Sequence, residues 1–522
     1  MKRRDFLKVA APATVLPFLV GGFSLKAFAN NPFLHSLVQG GGSNDRVFVL
    51  IQLIGGNDGL QTVIPLDQYS QIMAARSNIA IKETDVLKIT DTLGLHPNMS
   101  GMQTLYEQNK IAIVQNVGYP QPNFSHFRSI DIWLTGADYN EVLQTGWLGR
   151  YLDQEYPGFP TGYPNASMPD PIAIQIGSAV TLGLEGQNGN MGMAFTDPTA
   201  FSNIINGTTS PVPNTRAGHE LGYLRSVATQ LQLFSTPVKN AASKGKTLST
   251  QWPTAGNNSL ADQLRIVAQL IAGGLKTKIY VVNLGGFDSH TDQRKGQDPL
   301  LQKLSDGVSA FQDELKLNAL EDRVIGMTFS EFGRRIKSND SGGTDHGAAA
   351  PLFVFGTKVV AGIHGSNPVL PANATVDDNL TMEFDFRSVY ASVLKEWFVS
   401  SDSEVTNTLL KQYSTLPIIQ QQSGVAQNGQ DATVDLLQNY PNPSGGSGLP
   451  TATNITFRTL GGYATLRVFD VKGEMIGTII DGPVTSGEQT VSFDTGHLPS
   501  GTYFYRLDSG GTTLTKEMVV VR

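Results

Sequence analysis

Four polar segments in this chain stand beside apolar runs of the length of buried strands. Val47 to Leu53 runs into Gly55-Gly56-Asn57-Asp58-Gly59, Ile279 to Leu284 into Gly285-Gly286-Phe287-Asp288-Ser289-His290, and Val324 to Phe329 into Ser330-Glu331-Phe332-Gly333-Arg334. The fourth, Gly342-Gly343-Thr344-Asp345-His346-Gly347, lies just before the run Pro351 to Phe355. In an open α/β sheet ligands collect beyond the carboxyl ends of the strands, so Asp58, Asp288, Glu331, Asp345, His290 and His346 are expected to converge on one edge. Carboxylates crowded together repel and take up protons unless a cation lies among them. Oxygen donors with one or two imidazoles suit zinc, manganese, iron, magnesium or calcium. Two such ions about 4 Å apart would clamp an in-line displacement at phosphorus or sulfur. Taken singly, each residue has a plainer reading: Asp58 as a turn former, His290 as a loop histidine, Glu331 as a partner of Arg334 or Arg335. Their shared location favours the metal.

The elements that must position these residues alternate. Further buried runs at Ile111 to Val117 and Pro171 to Ile176 join those above, and amphipathic stretches separate them. Ser259 with Asp262 opens a helix whose Leu260, Leu264, Val267 and Ile271 share a face, and Gly273-Gly274 ends it. Similar crossovers are expected at Leu300 to Leu320 and Phe386 to Phe398. The pattern predicts an α/β fold, a doubly wound, mostly parallel sheet with helices on both faces. Residues from about Tyr151 to Lys246, rich in Gly, Asn, Pro and Thr, read as long insertions above the sheet.

Composition narrows the function classes. With 522 residues, about two to four domains are expected. Charged residues are 16%, the formal net charge is −7, and cysteine is absent. No basic footprint for nucleic acid exists, and disulfides, thiolate metal sites and cysteine nucleophiles are excluded. Any metal here sits on nitrogen and oxygen.

Both ends read as addresses. Arg3-Arg4 before Phe6-Leu7-Lys8, an apolar run from Val9 to Leu25 and the small-x-small site Ala27-Phe28-Ala29 resemble a bacterial twin-arginine signal peptide, which carries folded proteins outward. Pro12, Pro17 and Lys26 break the run, so no stable membrane span is expected after cleavage. A polar stretch from Gln420 to Thr433 reads as a linker, and alternating runs after it describe a small all-β sandwich. Leu437-Gln438-Asn439-Tyr440-Pro441-Asn442-Pro443, Leu466-Arg467-Val468-Phe469-Asp470 and Leu498 to Leu507 resemble the C-terminal sorting domain of type IX secretion. The expected organisation is therefore a signal at 1–29, an α/β domain at 30–419, a linker at 420–435 and a sorting domain at 436–522. The implied partners are the twin-arginine and type IX export machineries. The implied location is secreted or on the outer cell surface, by way of the periplasm.

The body carries a resemblance of its own. Gly55 to Gly59, Gly118-Tyr119-Pro120, Ser125-His126-Phe127-Arg128, Thr145 to Arg150, Phe287 to His290, Ser330 to Arg334 and Gly343 to Gly347 resemble, in order, the domain-of-unknown-function family 1501 over residues 45 to 400. That family is similar to the alkaline phosphatase and sulfatase superfamily. The resemblance implies an alkaline-phosphatase-like fold with one or two divalent metals at the strand ends. It implies Asp58 as first-strand ligand, Asp288 and His290 as the next motif, and His346, assisted by Asp345, as the late one. Ser330-Glu331-Phe332-Gly333 departs from the superfamily's Ser-Asp-His-Gly: Glu331 can stand in for the aspartate, whereas Phe332 cannot ligate. An alternative alignment gives that motif to Thr344-Asp345-His346-Gly347 and leaves Glu331 as an extra ligand. Ser125 lies where the superfamily nucleophile is expected, with His126 and Arg128 as catalytic companions and Arg128 or Arg334 offering charge to substrate oxygens. The plainer readings are a helix cap for Ser125, a loop histidine for His126 and an ion pair with Asp131 for Arg128. The implied function is a metal-dependent hydrolase of phosphate or sulfate esters on a small molecule or glycan. The alternative is a non-catalytic surface protein holding a glycan or anion in a degenerate phosphatase-like pocket.

Overall fold

The run Val-Phe-Val-Leu-Ile-Gln-Leu-Ile has no polar face, so it must be covered on both sides. In the computed structural model it forms strand β1 (Val47–Ile54), buried almost throughout. The structure describes residues 45–198, 233–420, 434–445, 451–510 and 512–522. The expected signal at 1–29 and residues 421–433 of the expected linker lie outside them. The described residues form two units, one within 43–422 and one within 423–522.

A nine-stranded sheet organises the larger unit. After β1 come β2 (Ile111–Gly118), β3 (Ala173–Ile176), β4 (Met193–Phe195), β5 (Ile279–Gly285), β6 (Val324–Phe329), β7 (Ala350–Phe355), β8 (Gly362–His364) and β9 (Phe384–Asp385). Their order is β8-β2-β7-β6-β1-β5-β3-β4, with β9 also paired to β2. The short β4 falls in the segment read as insertions, where three residues carry too little periodicity to be noticed.

Strand direction decides where the chemistry collects. β1 runs parallel to β5 and β6, with Leu53 beside Leu284 and Gln52 beside Phe329, so the three strands end level. β7 is antiparallel to both β6 and β2, and Ala350 lies beside Val117 near the end of β2. The start of β7 therefore opens on the same edge as the ends of the other four. Just ahead of it, Gly333–Arg334 and His346–Gly347 pair as a short antiparallel ribbon.

The helices follow their apolar stripes. Those used below are α1 (Tyr69–Arg76), α2 (His126–Thr135), α3 (Ser259–Ala272), α4 (Gln293–Leu317) and α5 (Phe386–Ser392). In α3, Leu260, Leu264, Val267 and Ile271 are buried as expected, but the cap is Asn258, whose side chain accepts from Leu260 and Ala261 N–H. α4 starts earlier than expected and contains Pro299. α5 continues into a π-helical turn over Val393–Trp397. Among the described residues no helix is long and apolar enough to cross a membrane.

The smaller unit is one antiparallel sheet of five strands: Asp435–Leu436, Ala452–Phe469, Met475–Asp494, Gly501–Ser509 and Thr512–Val520. Tyr503, Tyr505 and Leu507 alternate inward, the period-two pattern of a strand with one buried face. The Tyr505 hydroxyl accepts from Asn439 N–H at 2.7 Å and donates to the Leu437 carbonyl at 2.8 Å. Two of the sequence motifs singled out for this unit are thereby locked to each other.

Candidate metal centre at the carboxyl edge of the sheet

The turn after β1 has to pass close under the loop after β5. Gly55 and Gly56 have φ of 123° and 83°, and a Cβ on Gly55 would stand 2.3 Å from Asp288 N. Only glycine fits such a place. Arg334, fully buried, ties the edge together: it donates to the carbonyls of Gly55, Gly56, Phe287 and Thr344, and to Asp288 Oδ1 at 2.9 Å. Its donors are spent on loops and on Asp288, so it is not the free substrate cation suggested by the sequence.

Three imidazoles surround Asp288, each held from behind. His126 Nδ1, at the start of α2, lies 2.9 Å from Glu331 Oε1. His290 Nδ1 lies 3.0 Å from Asp345 Oδ1, and His346 Nδ1 lies 2.7 Å from the Phe124 carbonyl oxygen. Each partner is an acceptor, which assigns the hydrogen to Nδ1 and leaves a bare lone pair on Nε2 of the neutral ring. Those Nε2 atoms face one another and Asp288. His290 Nε2 is 3.0 Å from His346 Nε2 and 3.1 Å from Asp288 Oδ1. His346 Nε2 is 3.2 Å from Oδ1, and His126 Nε2 is 3.3 Å from Oδ2. His126 Nε2 is buried without a hydrogen-bond partner. Acceptors aimed at acceptors at this range are unfavourable unless positive charge lies between them.

The spacing fits a metal ion. A tetrahedral centre with bonds of about 2.0–2.1 Å separates its donors by about 3.3–3.4 Å, close to the separations here. His126, Asp288 and His346 offer ligand atoms all within 4.8 Å of one another, and His290 Nε2 lies beside two of these three, Asp288 and His346. Protonation states agree. Burial pushes the His346 imidazole below its ordinary range, against the pull of the Phe124 carbonyl and Asp288, so the neutral, ligating form is favoured. Burial acts upward on Asp288, but the hydrogen bond and the positive charge of Arg334 outweigh it and hold the carboxyl down at about 2. The hydrogen bond from His290 likewise lowers Asp345. Phe332 cannot ligate, and its buried ring packs 4.9 Å from that of His126 and 4.4 Å from that of His346, an apolar wall that fixes both. Asp288 and His290 remain 48% and 43% exposed, so the cluster is open on one side.

Other sequence candidates have different tasks. Asp58 does not join this group: its 1%-exposed carboxylate pairs with Arg76 from α1 at 2.7 and 2.9 Å. It also accepts from Gln293 at 2.6 Å and from Leu60 N–H, capping the turn Gly59–Thr62. Glu331 is fully buried, with Oε1 accepting from Gly55 N–H at 2.8 Å as well as from His126. Glu331 and Asp345 therefore back histidines, where ligation was expected. Ser125 is exposed at the N-cap of α2 and makes no side-chain cap bond. The Arg128 guanidinium donates through Nη2 to the carbonyls of Asp138, Tyr139 and Glu141, and its charge acts on Asp131. His126, read as a catalytic companion, stands among the would-be ligands. The available signal was its position just beyond the buried run Ile111 to Val117.

The family comparison covers two segments. A family model described as a protein of unknown function, DUF1501, matches residues 265–409, which include Asp288, His290, Glu331, Asp345 and His346. A secretion system C-terminal sorting domain matches residues 438–521, which marks the chain for secretion or the cell surface. No curated protein matches the chain.

Solved structures resembling the chain include a protein in the alkaline phosphatase superfamily from Vibrio parahaemolyticus, 9% identical, covering 80% of this chain and 77% of that one at a TM-score of 0.34. The PsFucS1 sulfatase from Pseudoalteromonas sp. is 9% identical, covering 90% and 87% at 0.32. The alkaline phosphatase from the Antarctic bacterium TAB5 is 13% identical, covering 60% and 91% at 0.27.

Proposed function

We propose that the chain is an exported, metal-dependent hydrolase of phosphate or sulfate esters, with His126, Asp288, His290 and His346 holding a divalent ion. The observation that carries this reading is the convergence of imidazole lone pairs on the Asp288 carboxylate. When bound, such an ion supplies positive charge to an ester oxygen. Glu331, Asp345 and the Phe124 carbonyl fix the three rings in the ligating tautomer, and Phe332 packs against those of His126 and His346. Ser125, exposed one residue before His126, is the candidate nucleophile. Its oxygen would bond to phosphorus or sulfur as the ester oxygen leaves, its proton passing to the departing alcohol; water then releases the serine.

The second reading, a surface protein that holds an anion or glycan without turnover, is favoured by a specific observation. Arg334 is buried with its donors on loop carbonyls and Asp288, and Arg128 turns Nη2 to three carbonyls, so both guanidinium groups are engaged with the protein's own groups. One experiment separates the two. The purified mature chain is assayed for metal and for hydrolysis of nitrophenyl phosphate, a nitrophenyl phosphodiester and nitrophenyl sulfate, with and without chelator. The hydrolase reading expects chelator-sensitive turnover that Ser125→Ala abolishes. Bound metal with no turnover on any ester refutes it in favour of the binder, and turnover that survives Ser125→Ala removes the serine from the mechanism.

A further inference from the structure

We infer that the centre takes one ion per chain, a nitrogen-preferring transition ion such as zinc or cobalt, and that the Arg76 guanidinium closes Asp58 to a second. The inference rests on the metal reading above and narrows it.

The donor set gives the first part. Three imidazole nitrogens converge on one carboxylate, His290 and His346 at 3.1 and 3.2 Å from Oδ1 and His126 at 3.3 Å from Oδ2, a nitrogen-rich set that suits a small ion. Calcium takes six to eight oxygens at about 2.3–2.6 Å, and magnesium demands octahedral oxygen geometry; neither suits a nitrogen-rich cluster this tight.

The second part comes from the carboxylates left over. A companion ion about 3.5–4 Å away needs ligands of its own. The remaining acidic side chains expected at this edge already have partners. Glu331 is fully buried against Gly55 N–H and His126, and Asp345 backs His290. Asp58 carries a bidentate guanidinium, and Arg76 is further anchored to the carbonyls of Ile336 and Arg335. An ion at Asp58 would meet a buried positive charge at contact distance. Displacing the guanidinium from Asp58 would strand its charge inside the protein, since Arg76 is 1% exposed.

The test reads metal, not activity. The wild-type chain is stripped, dialysed in turn against zinc, cobalt, magnesium and calcium, desalted and assayed for ion content. The cobalt form is examined for the intense visible absorption of four-coordinate Co(II). The expected result is one zinc or cobalt per chain, intense cobalt bands, and no retained magnesium or calcium. His126→Gln and His290→Gln are each expected to weaken zinc binding at least about tenfold while circular dichroism is unchanged. Two ions per chain, retention of magnesium or calcium, or the weak bands of six-coordinate cobalt would overturn this inference and leave the hydrolase reading standing. No retained ion of any kind would overturn both.

Discussion

Glu331→Gln probes the arrangement behind His126. The substitution is isosteric: an amide oxygen can still accept from Gly55 N–H and His126 Nδ1–H, now 2.8 and 2.9 Å from Oε1. It removes only the charge. Hydrogen bonds to a charged group contribute about 1.5–3 kcal/mol net, against about 0.5–1.5 kcal/mol for neutral pairs. The difference of about 1–1.5 kcal/mol acts on the ring most strongly when its Nε2 carries a ligand, so zinc affinity should fall about tenfold. Competitive titration against a chromophoric chelator at neutral pH measures this, with the unfolding midpoint of the stripped protein as the control for folding. An unchanged affinity in a folded variant refutes the reasoning, because Glu331 would not then be tuning His126. A loss of several orders of magnitude refutes it from the other side, since that is what removal of a direct ligand does.

Three further outcomes follow from buried groups elsewhere. Asp58→Asn leaves the Arg76 charge without its counterion and should lower unfolding free energy by about 3 kcal/mol in urea, with ion content per chain unchanged; a metal-depleted variant would mean Asp58 is a ligand after all. Gly55→Ala forces a side chain into φ of 123° with its Cβ against Asp288 N, and should destabilise by at least about 2 kcal/mol and weaken zinc binding together. A stable Gly55→Ala chain with wild-type affinity would contradict the close approach. Lys278, 5% exposed just before β5, is pushed down to about 8 by burial, against the pull of Glu155 and Asp45. The unfolded chain keeps this proton to about pH 10.4, so the folded state is penalised fully below pH 8 and stability rises between 8 and 10.4. Lys278→Met should therefore add about 2 kcal/mol at pH 7 and flatten that rise; pH-dependent denaturation with an unaltered slope would disprove it.

Much of the scaffold was legible in one dimension. Runs such as Val47 to Leu53 and Val324 to Phe329 are apolar on both faces, and a strand with that pattern has to lie inside a covered sheet. The stripe of Leu260, Leu264, Val267 and Ile271 likewise encodes a helix with one buried face. Composition and motif order carried the export reading, and the position of Asp288, His290 and His346 beside buried runs, together with their residue types, made them metal candidates.

The centre itself depended on contacts between residues far apart in the chain. His346 precedes its strand, and in a parallel strand it would lie at the opposite edge of the sheet, about 20 Å away for six residues. It joins Asp288 because β7 runs antiparallel to β6 and β2. Arg76 neutralises Asp58 because α1 packs where its guanidinium can reach the end of β1. Hydrophobic periodicity records how each segment is buried, and glycines record where backbone must turn. Neither records strand direction or the partner of a buried charge, since both are fixed by the free energy of long-range pairing and desolvation, to which segments hundreds of residues apart contribute together.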